Sequence, residues 1–193
     1  MLRGFALPFE RALAAGVSAA AAAAPFRHMT TPGGYSMSVA MTNCGGFGWV
    51  SDPTGYRYSP TDPETGAPWP AMPAAFAELA RQAAAAVGFA GFAPDACLVN
   101  RYEPGARLTL HQDKDERDFS QPIVSVSLGV PAVFLFGGLK RKERPQRVAL
   151  RHGDIVVWGG PARLRHHGVA KLEESSHPFA GGARINLTLR RAR

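Results

Sequence analysis

The spacing of apolar residues changes along the chain, and this change constrains the fold more than any other feature of the sequence. Beyond Pro94 apolar and polar residues alternate with the period of a β-strand. Glycine and proline turns separate seven short runs of this kind: 97–102, 107–113, 122–128, 132–136, 147–150, 154–158 and 183–190. We therefore expect a sandwich, barrel or jelly roll with helices packed on its outside.

The N-terminal part of the chain has a different composition. Residues 1–24 are alanine-rich and predict a surface helix that ends before Pro25, and a second helix is expected from 73 to about 87. Between them, residues 30–73 are rich in glycine, proline and aromatic residues, with short strands expected near 35–41. A loop-rich segment of this length is usually functional, and its aromatic side chains favour a binding lid.

The length and composition narrow the class of protein. We expect one domain over residues 1–193, mainly β with flanking helices (α+β), with helices and lid in about 1–90 and the jelly-roll core in about 91–193. No stretch is long and apolar enough to span a membrane, and the polar residues within the first apolar run argue against a signal peptide, so we expect a cytoplasmic chain. Two cysteines are too few for a disulfide scaffold or a thiolate zinc site.

The charge is concentrated near the C-terminus. Of the formal net charge of +7, residues 137–193 carry 13 basic and 4 acidic side chains (+9), and the rest of the chain carries −2. This asymmetry predicts that an anionic partner such as a nucleic acid would contact the C-terminal third. The alternative is a solvated basic surface with no partner.

A histidine and a carboxylate stand two positions apart, at His111 and Asp113. Residues at this spacing on a strand point to the same face, so both side chains can bind one metal ion. The candidates for a third ligand are His28, His152, His166, His167 and His177. His167 is favoured because it follows the run 154–158 and precedes Gly168. Two histidines and one carboxylate are typical of non-haem Fe(II) oxygenases; the alternative is a solvated pair on an edge strand.

The last predicted strand carries a polar face opposite an aliphatic one. Its polar side chains are Arg184, Asn186, Thr188 and Arg190. This face either contacts solvent or lines a cavity for an anion, and two arginines would suit a dicarboxylate. Asn100 and Tyr102 share one face of an earlier strand. They could orient an oxygen-bearing co-substrate, or they are ordinary structural groups.

These motifs together resemble the AlkB family, the bacterial Fe(II)/2-oxoglutarate-dependent DNA repair dioxygenases. The similarity covers about residues 25–193 and rests on eight segments: PFR at 25–27, TPGGY at 31–35, SVAMTNCG at 38–45, PDAC at 94–97, NRY at 100–102, HQDKDE at 111–116, VSVSLG at 124–129 and DIVVWGG at 154–160. The resemblance implies a double-stranded β-helix (jelly-roll) core with an N-terminal nucleotide-recognition lid.

The resemblance also implies roles for individual residues. The iron ligands would be His111, Asp113 and His167. The co-substrate 2-oxoglutarate would pair through its distal carboxylate with Arg184 and lie near Arg190 with its other carboxylate. Further hydrogen bonds to it would come from Asn100, Tyr102 and Asn186.

A base-binding pocket is implied in the same way. Trp49 and His111 would sandwich the flipped base, which Met41 and Tyr56 would help to enclose. Asp115 would act beside the cationic base as a catalytic residue. Contacts to the pocket rim, the lid or the nucleic-acid backbone would come from Thr31, Tyr35, Tyr56, Gln112, Lys114 and Arg141.

The implied reaction consumes O2 and 2-oxoglutarate and yields succinate and CO2, while a hydroxylated N-methyl group leaves as formaldehyde. The expected substrates are 1-methyladenine and 3-methylcytosine in DNA, with single-stranded DNA preferred to double-stranded DNA. RNA is expected as a further substrate. We expect the protein to be a monomer. The alternatives are a 2-oxoglutarate oxygenase acting on protein or a small molecule, a metal-dependent isomerase on the same barrel, and a non-enzymatic nucleic-acid-binding module.

Three residues at two places depart from the family pattern. Ile185 stands where an aromatic residue is usual, and Arg165 and His166 replace a more apolar approach to His167. Two adjacent histidines are therefore available as the third ligand. Strand alternation makes it unfavourable for both to bind, and the glycine that follows favours His167.

Overall fold

The computed structural model describes all 193 residues and contains two α-helices and twelve strands. The helices are α1 (Glu10–Ala23) and α2 (Ala74–Ala85). The strands are β1 (Arg27–Thr30), β2 (Ser36–Gly45), β3 (Gly48–Asp52), β4 (Gly55–Ser59), β5 (Ala96–Tyr102), β6 (Leu108–His111), β7 (Ile123–Gly129), β8 (Ala132–Phe136), β9 (Gln146–Leu150), β10 (Ile155–Trp158), β11 (His167–Val169) and β12 (Arg184–Arg190). Short 3-10 turns occupy Leu7–Phe9 and Gly160–Ala162.

The strands form two facing sheets and a separate hairpin. The major sheet has six strands in the order β1-β2-β5-β12-β7-β10, and the minor sheet has four in the order β6-β11-β8-β9. Strands β3 and β4 pair with each other only and form a hairpin, which we call the lid hairpin because it lies in the segment predicted to form the lid. All paired strands are antiparallel. The prediction of a mainly β jelly roll with flanking helices is confirmed.

Strand β12 lies in the middle of the major sheet and is buried along its whole length. Its aliphatic side chains, Ile185 and Leu187 among them, pack in the core beneath the helices. Its polar side chains lie on the opposite face. Tyr102 of β5, which is opposite Arg184 in register, shares this face and packs in the core between the two sheets. Arg184 is only 1% exposed. The alternative of a solvent-facing polar strand is therefore wrong.

The helices cover the outer face of the major sheet. Helix α1 was expected on the surface, but Leu13 and Ala20 are buried against α2 and the sheet. Its Gly16 permits this contact, because a Cβ atom there would lie 2.6 Å from the ring of Phe76. Small residues let the helices approach closely, so the alanine-rich sequence gives a packed helix pair. No helix in the chain has the length and apolar character that crossing a membrane requires.

The strands differ from the sequence prediction at several places. Strand β2 is ten residues long and pairs with central β5, where only short strands near 35–41 were expected. Strand β6 ends at His111, so Asp113 follows the strand instead of lying on it. Strands β1, β3 and β4 were not predicted, and neither was β11. Its three residues carry no alternation of their own and depend on pairing with β6 and β8.

Candidate functional site

Three side chains with metal-binding groups meet between the two sheets. His111 ends β6, and it lies opposite His167, the first residue of β11. Asp113 follows β6, and the ligand atoms of the three residues all lie within 4.8 Å of one another. Nε2 of His111 is 3.6 Å from Oδ1 of Asp113, and Nε2 of His167 is 3.5 Å from Oδ2. The fold thus brings together the three residues that the sequence analysis singled out.

Backbone carbonyl groups orient both imidazole rings. Nδ1 of His111 lies 2.8 Å from the carbonyl oxygen of Thr109, and Nδ1 of His167 lies 3.1 Å from that of Arg165. Because a carbonyl oxygen can only accept, each Nδ1 carries the proton and each Nε2 lone pair is left for a metal ion.

The other histidines lie outside this cluster. His166, adjacent in sequence, turns its Nδ1 toward the carbonyl oxygen of Gly138 at 3.3 Å. The remaining three are placed elsewhere in the fold: His28, His152 and His177. Of the two adjacent histidines, the structure therefore assigns His167 to the cluster.

The charges around Asp113 favour its ionised form. Burial opposes ionisation, but the Arg190 guanidinium and then His167 outweigh it and hold the pKa of Asp113 well below its usual range. Arg190 NH2 lies 2.6 Å from Asp113 Oδ2. Burial lowers the pKa of His167, against the opposing effect of Asp113. A neutral imidazole beside an ionised carboxylate is the protonation state that metal binding needs.

Arg184 is a buried cation with no carboxylate partner. Its NH2 donates to Ser127 Oγ at 2.9 Å, and its Cζ lies 4.9 Å from the centre of the Tyr102 ring. Its Nε and NH1 have no hydrogen-bond partner, and burial lowers its pKa. A buried guanidinium without a counter-ion is strongly unfavourable. The arrangement therefore fits a carboxylate ligand beside Arg184.

Polar side chains line the same face of the major sheet. Asn186 lies opposite Asn100 in register and donates to Ser125 Oγ at 2.8 Å and the Val126 carbonyl oxygen at 2.9 Å. Thr188 Oγ1 donates to Asn186 Oδ1 at 2.9 Å. The Oδ1 atom of buried Asn100 has no partner, so this lining keeps an unused acceptor.

The lid hairpin contacts the segment that follows β6. Trp49 on β3 donates its indole N–H to Asp115 Oδ2 at 2.8 Å. The Trp49 ring stacks on Tyr56 of β4, with ring centroids 5.6 Å apart. Asn43 bonds both the backbone N–H and the carbonyl group of Trp49, at 3.0 and 2.9 Å. Trp49 is thus held from two sides.

The remaining residues with expected roles differ in burial and in their hydrogen bonds. Met41 is buried in the core between the sheets. Gln112 donates to the carbonyl oxygen of Leu164 at 2.5 Å, and Thr31 Oγ1 accepts the backbone N–H of Tyr35 at 3.1 Å. Exposed side chains suited to contacts with a large substrate are Tyr35, Tyr56, Lys114 and Arg141.

Comparison with known proteins identifies the family. The family model described as "2OG-Fe(II) oxygenase superfamily" matches residues 1–190. The chain is 58% identical over 192 residues to "Alpha-ketoglutarate-dependent dioxygenase AlkB" of Salmonella typhimurium and 56% identical to that of Escherichia coli, covering 100% of this chain and 89% of each relative. The chain belongs to the AlkB family. "The structure of OsALKBH1" matches this AlkB-family fold with a TM-score of 0.77 and 30% identity, covering 97% of this chain and 91% of the other.

As an AlkB-family member, the chain is a dioxygenase that uses Fe(II) and 2-oxoglutarate, which confirms the predicted enzyme class and cofactors. The residues present fit both groups. Two imidazoles and a carboxylate are the donor set of non-haem Fe(II). The unpartnered nitrogens of Arg184 suit a carboxylate of 2-oxoglutarate. A non-enzymatic binding module is excluded.

The AlkB-family site also contains a buried ionic network that the sequence analysis missed. Tyr58 of the lid donates to Glu116 Oε1 at 2.8 Å, and Arg163 NH2 lies 3.0 Å from Oε2. Arg163 also donates to the carbonyl oxygen of Asp113 at 2.8 Å, and Arg190 Nε is 3.4 Å from Glu116 Oε1. Glu116 belongs to the HQDKDE segment, but no sequence spacing pairs it with Tyr58 or Arg163. Packing of the lid hairpin on the core brings Tyr58 to Glu116, and the fold of the core itself brings Arg163 there.

Proposed function

We propose that the chain oxidatively demethylates alkylated bases in DNA, with 1-methyladenine and 3-methylcytosine as its lesions. The observation that carries the proposal is the contact between Trp49 and Asp115, which joins a flat aromatic surface to a carboxylate beside the His111–Asp113 segment. A cationic methylated base needs a surface on which to stack and an anion near its charge. The similarity to AlkB enzymes supports the same assignment.

In this proposal His111, Asp113 and His167 hold the Fe(II) ion. With 2-oxoglutarate and O2 bound there, the metal would supply the oxidising chemistry that converts 2-oxoglutarate to succinate and CO2 and releases the N-methyl group as formaldehyde. The chain sets the protonation states of the side chains that would bind the metal. Arg190 keeps Asp113 ionised, and the Thr109 carbonyl group holds the proton of His111 on Nδ1.

The 2-oxoglutarate carboxylates are assigned to the two buried arginines. Arg184 would bind the distal carboxylate through Nε and NH1 while Ser127 holds its NH2. Arg190 would lie near the carboxylate on the metal side. Further hydrogen bonds are assigned to Asn100, Tyr102 and Asn186. The free Oδ1 of Asn100 and the burial of all three side chains support this placement.

The methylated base would lie between Trp49 and His111. Tyr56 supports Trp49 by stacking on it, Met41 closes the interior side of the pocket, and Asp115 balances the positive charge of the base. Contacts to the rim, the lid and the nucleic-acid backbone are assigned to Thr31, Tyr35, Gln112, Lys114 and Arg141.

The chemistry of the lesion sets the expected form of the substrate. Methylation on the Watson–Crick edge prevents pairing, so removing such a base from a helix costs less than removing a normal one. We therefore propose a preference for single-stranded DNA, with double-stranded DNA and RNA as further substrates. We also propose that residues 1–193 act as a single monomeric dioxygenase domain in the cytoplasm, where DNA is accessible.

The proposal is tested with anaerobically purified protein, to which Fe(II), 2-oxoglutarate and O2 are added with a single-stranded oligonucleotide containing 1-methyladenine. We expect equal amounts of formaldehyde and succinate, and no formaldehyde from the same oligonucleotide without the methyl group. The His111→Ala variant should form neither product. If no methylated oligonucleotide yields formaldehyde while a protein or small molecule supports succinate formation, the chain is a different 2-oxoglutarate oxygenase.

A further inference from the structure

The hairpin formed by β8 and β9 carries a concentration of unpaired positive charge. Six exposed basic residues lie on its turn, on its second strand and directly after that strand: Lys140, Arg141, Lys142, Arg144, Arg147 and Arg151. None of the six takes part in an ion pair. The single acidic residue among them, Glu143, uses its carboxylate to accept the backbone N–H of Lys140 at 2.8 Å.

The hairpin differs in this respect from several other arginines with accessible side chains, which are already ion-paired. Arg57, Arg81 and Arg101 each lie beside a carboxylate of a nearby residue. An anion that binds one of those arginines must compete with the existing ion pair. An anion that binds the hairpin meets no such competition, so the positive field there is available to an external partner.

The turn of the hairpin is attached to the site. Gly137 donates its backbone N–H to the carbonyl oxygen of His166 at 2.7 Å, and His166 donates back to Gly138 at 2.9 Å. Phe136, the last residue of β8, lies opposite His167 in register. The basic turn therefore begins one residue from a strand pair that contains a candidate metal ligand.

From the turn, β9 leads away along the edge of the minor sheet. Val148 and Leu150 face the core between the sheets, whereas Arg147 points outward. Arg151 is exposed directly after the strand. We name Arg144, Arg147 and Arg151 the β9 strip. At about 3.3 Å per residue it is on the order of 20 Å long, which spans several phosphates of a nucleic-acid strand.

We propose that the β9 strip binds the phosphate backbone of the lesion-bearing strand, outside the nucleotide that enters the pocket. The proposal rests on the proposed function for the identity of the nucleic acid. In this proposal the strip increases the affinity for long nucleic-acid substrates, because contacts to phosphates position a nucleic acid without reading its bases. The continuity of the strip with the turn beside the site favours the lesion-bearing strand over the opposite strand of a duplex.

The test compares two triple variants with the same loss of charge. One neutralises the strip (Arg144→Gln, Arg147→Gln and Arg151→Gln). The matched control neutralises exposed arginines on the helices and β5 (Arg11→Gln, Arg81→Gln and Arg101→Gln). Each is assayed on a methylated trinucleotide, a methylated single-stranded 15-mer and the corresponding duplex. Formaldehyde gives kcat/KM, and fluorescence anisotropy over a range of salt concentrations gives Kd.

We expect the strip variant to weaken binding of the single-stranded 15-mer about tenfold or more at 0.1 M salt and to lower the slope of log Kd against log salt concentration by about 2. Its kcat/KM on the trinucleotide should match the wild type, and the control variant should match the wild type throughout. Equal Kd values and slopes for the two variants would overturn the proposal, as would a loss confined to the duplex. If wild-type protein fails to demethylate even the trinucleotide but the strip still governs binding, the proposed function fails and the strip stands.

Discussion

Trp49 on the lid and Asp115 beside the metal-binding segment are joined by a hydrogen bond of 2.8 Å from the indole Nε1 to Oδ2. The bond fixes the direction of a carboxylate that is only half-buried and would otherwise be free to turn. It also ties the aromatic surface of the lid to the core of the enzyme. The stacking surface and the charge partner of the proposed base site are therefore placed by one contact.

Replacing Trp49 by phenylalanine should separate these two roles. Phenylalanine keeps a stacking face but cannot donate to Asp115, so we expect KM for 1-methyladenine to rise about three- to tenfold. The Trp49→Ala variant should lose about 1–3 kcal/mol of stacking in addition, or roughly 5- to 150-fold in affinity. Formaldehyde release measures both. Neutral 3-methylthymine is the control substrate, and an equal effect of Trp49→Phe on both bases would argue against a charge-orienting role for the bond.

The adjacent histidines should respond differently to substitution. His167 shares the cluster with His111 and Asp113, whereas His166 faces the Gly138 carbonyl oxygen. We expect His167→Ala to weaken Fe(II) binding more than about 100-fold. This loss exceeds the usual effect of removing a residue that only hydrogen-bonds to a metal-binding side chain. Anaerobic calorimetry makes the measurement. His166→Ala is the matched control and should bind Fe(II) within about threefold of the wild type; the reverse ranking would reassign the ligand.

Arg184→Met should have opposite effects on stability and on co-substrate binding. It removes a buried charge without a counter-ion, so the free energy of unfolding without ligand should be equal to or above that of the wild type. The same change removes a charge-assisted contact worth about 2 kcal/mol or more, so KM for 2-oxoglutarate should rise roughly 30-fold or more. Arg101→Met, at an exposed position of β5, is the control. An unchanged KM would show that 2-oxoglutarate binds elsewhere.

A histidine remote from the cluster of His111, Asp113 and His167 should make stability depend on pH. His152 and His177 stack with ring centroids 4.4 Å apart, and each Nδ1 accepts a backbone N–H, from Gly129 at 2.9 Å and from Phe179 at 3.1 Å. A second proton on the His177 ring would face the Phe179 N–H, which is a donor. Burial, followed by the neighbouring His152, lowers the pKa of His177, against the opposing effect of Glu10.

A lowered pKa means that the unfolded chain binds more protons than the folded chain as the pH falls through about 6.5. The contribution of His177 to stability is therefore fully present above that pH and is lost below it. We expect the free energy of unfolding to fall less between pH 7.5 and 5.5 in His177→Asn, whose side-chain oxygen can still accept the Phe179 N–H. Urea titrations at each pH test this, with His28→Asn as the control. A slope as steep as that of the wild type would rule out His177 as the source.

The β content and several site residues could be predicted because their signals are local. Alternation along residues 183–190 gives β12 one apolar and one polar face in any sheet, whatever its neighbours. The family motifs likewise pointed to the two histidines and the carboxylate that the fold brings together. The ten-residue β2 was underestimated because its turn-forming residues have weak intrinsic strand propensity. Pairing with β5 supplies the hydrogen bonds that stabilise it.

The sequence by itself determined which side chains are available for the chemistry, because residue types and strand spacing are written along the chain. Tertiary structure alone decided which of them meet. Whether the polar face of β12 contacts water or an enclosed cavity depends on the minor sheet that covers it, and the chain crosses between the sheets several times. The choice of His167, the unpartnered state of Arg184 and the Trp49–Asp115 bond arise from such long-range pairings, whose partners are set by packing across more than 50 residues of chain.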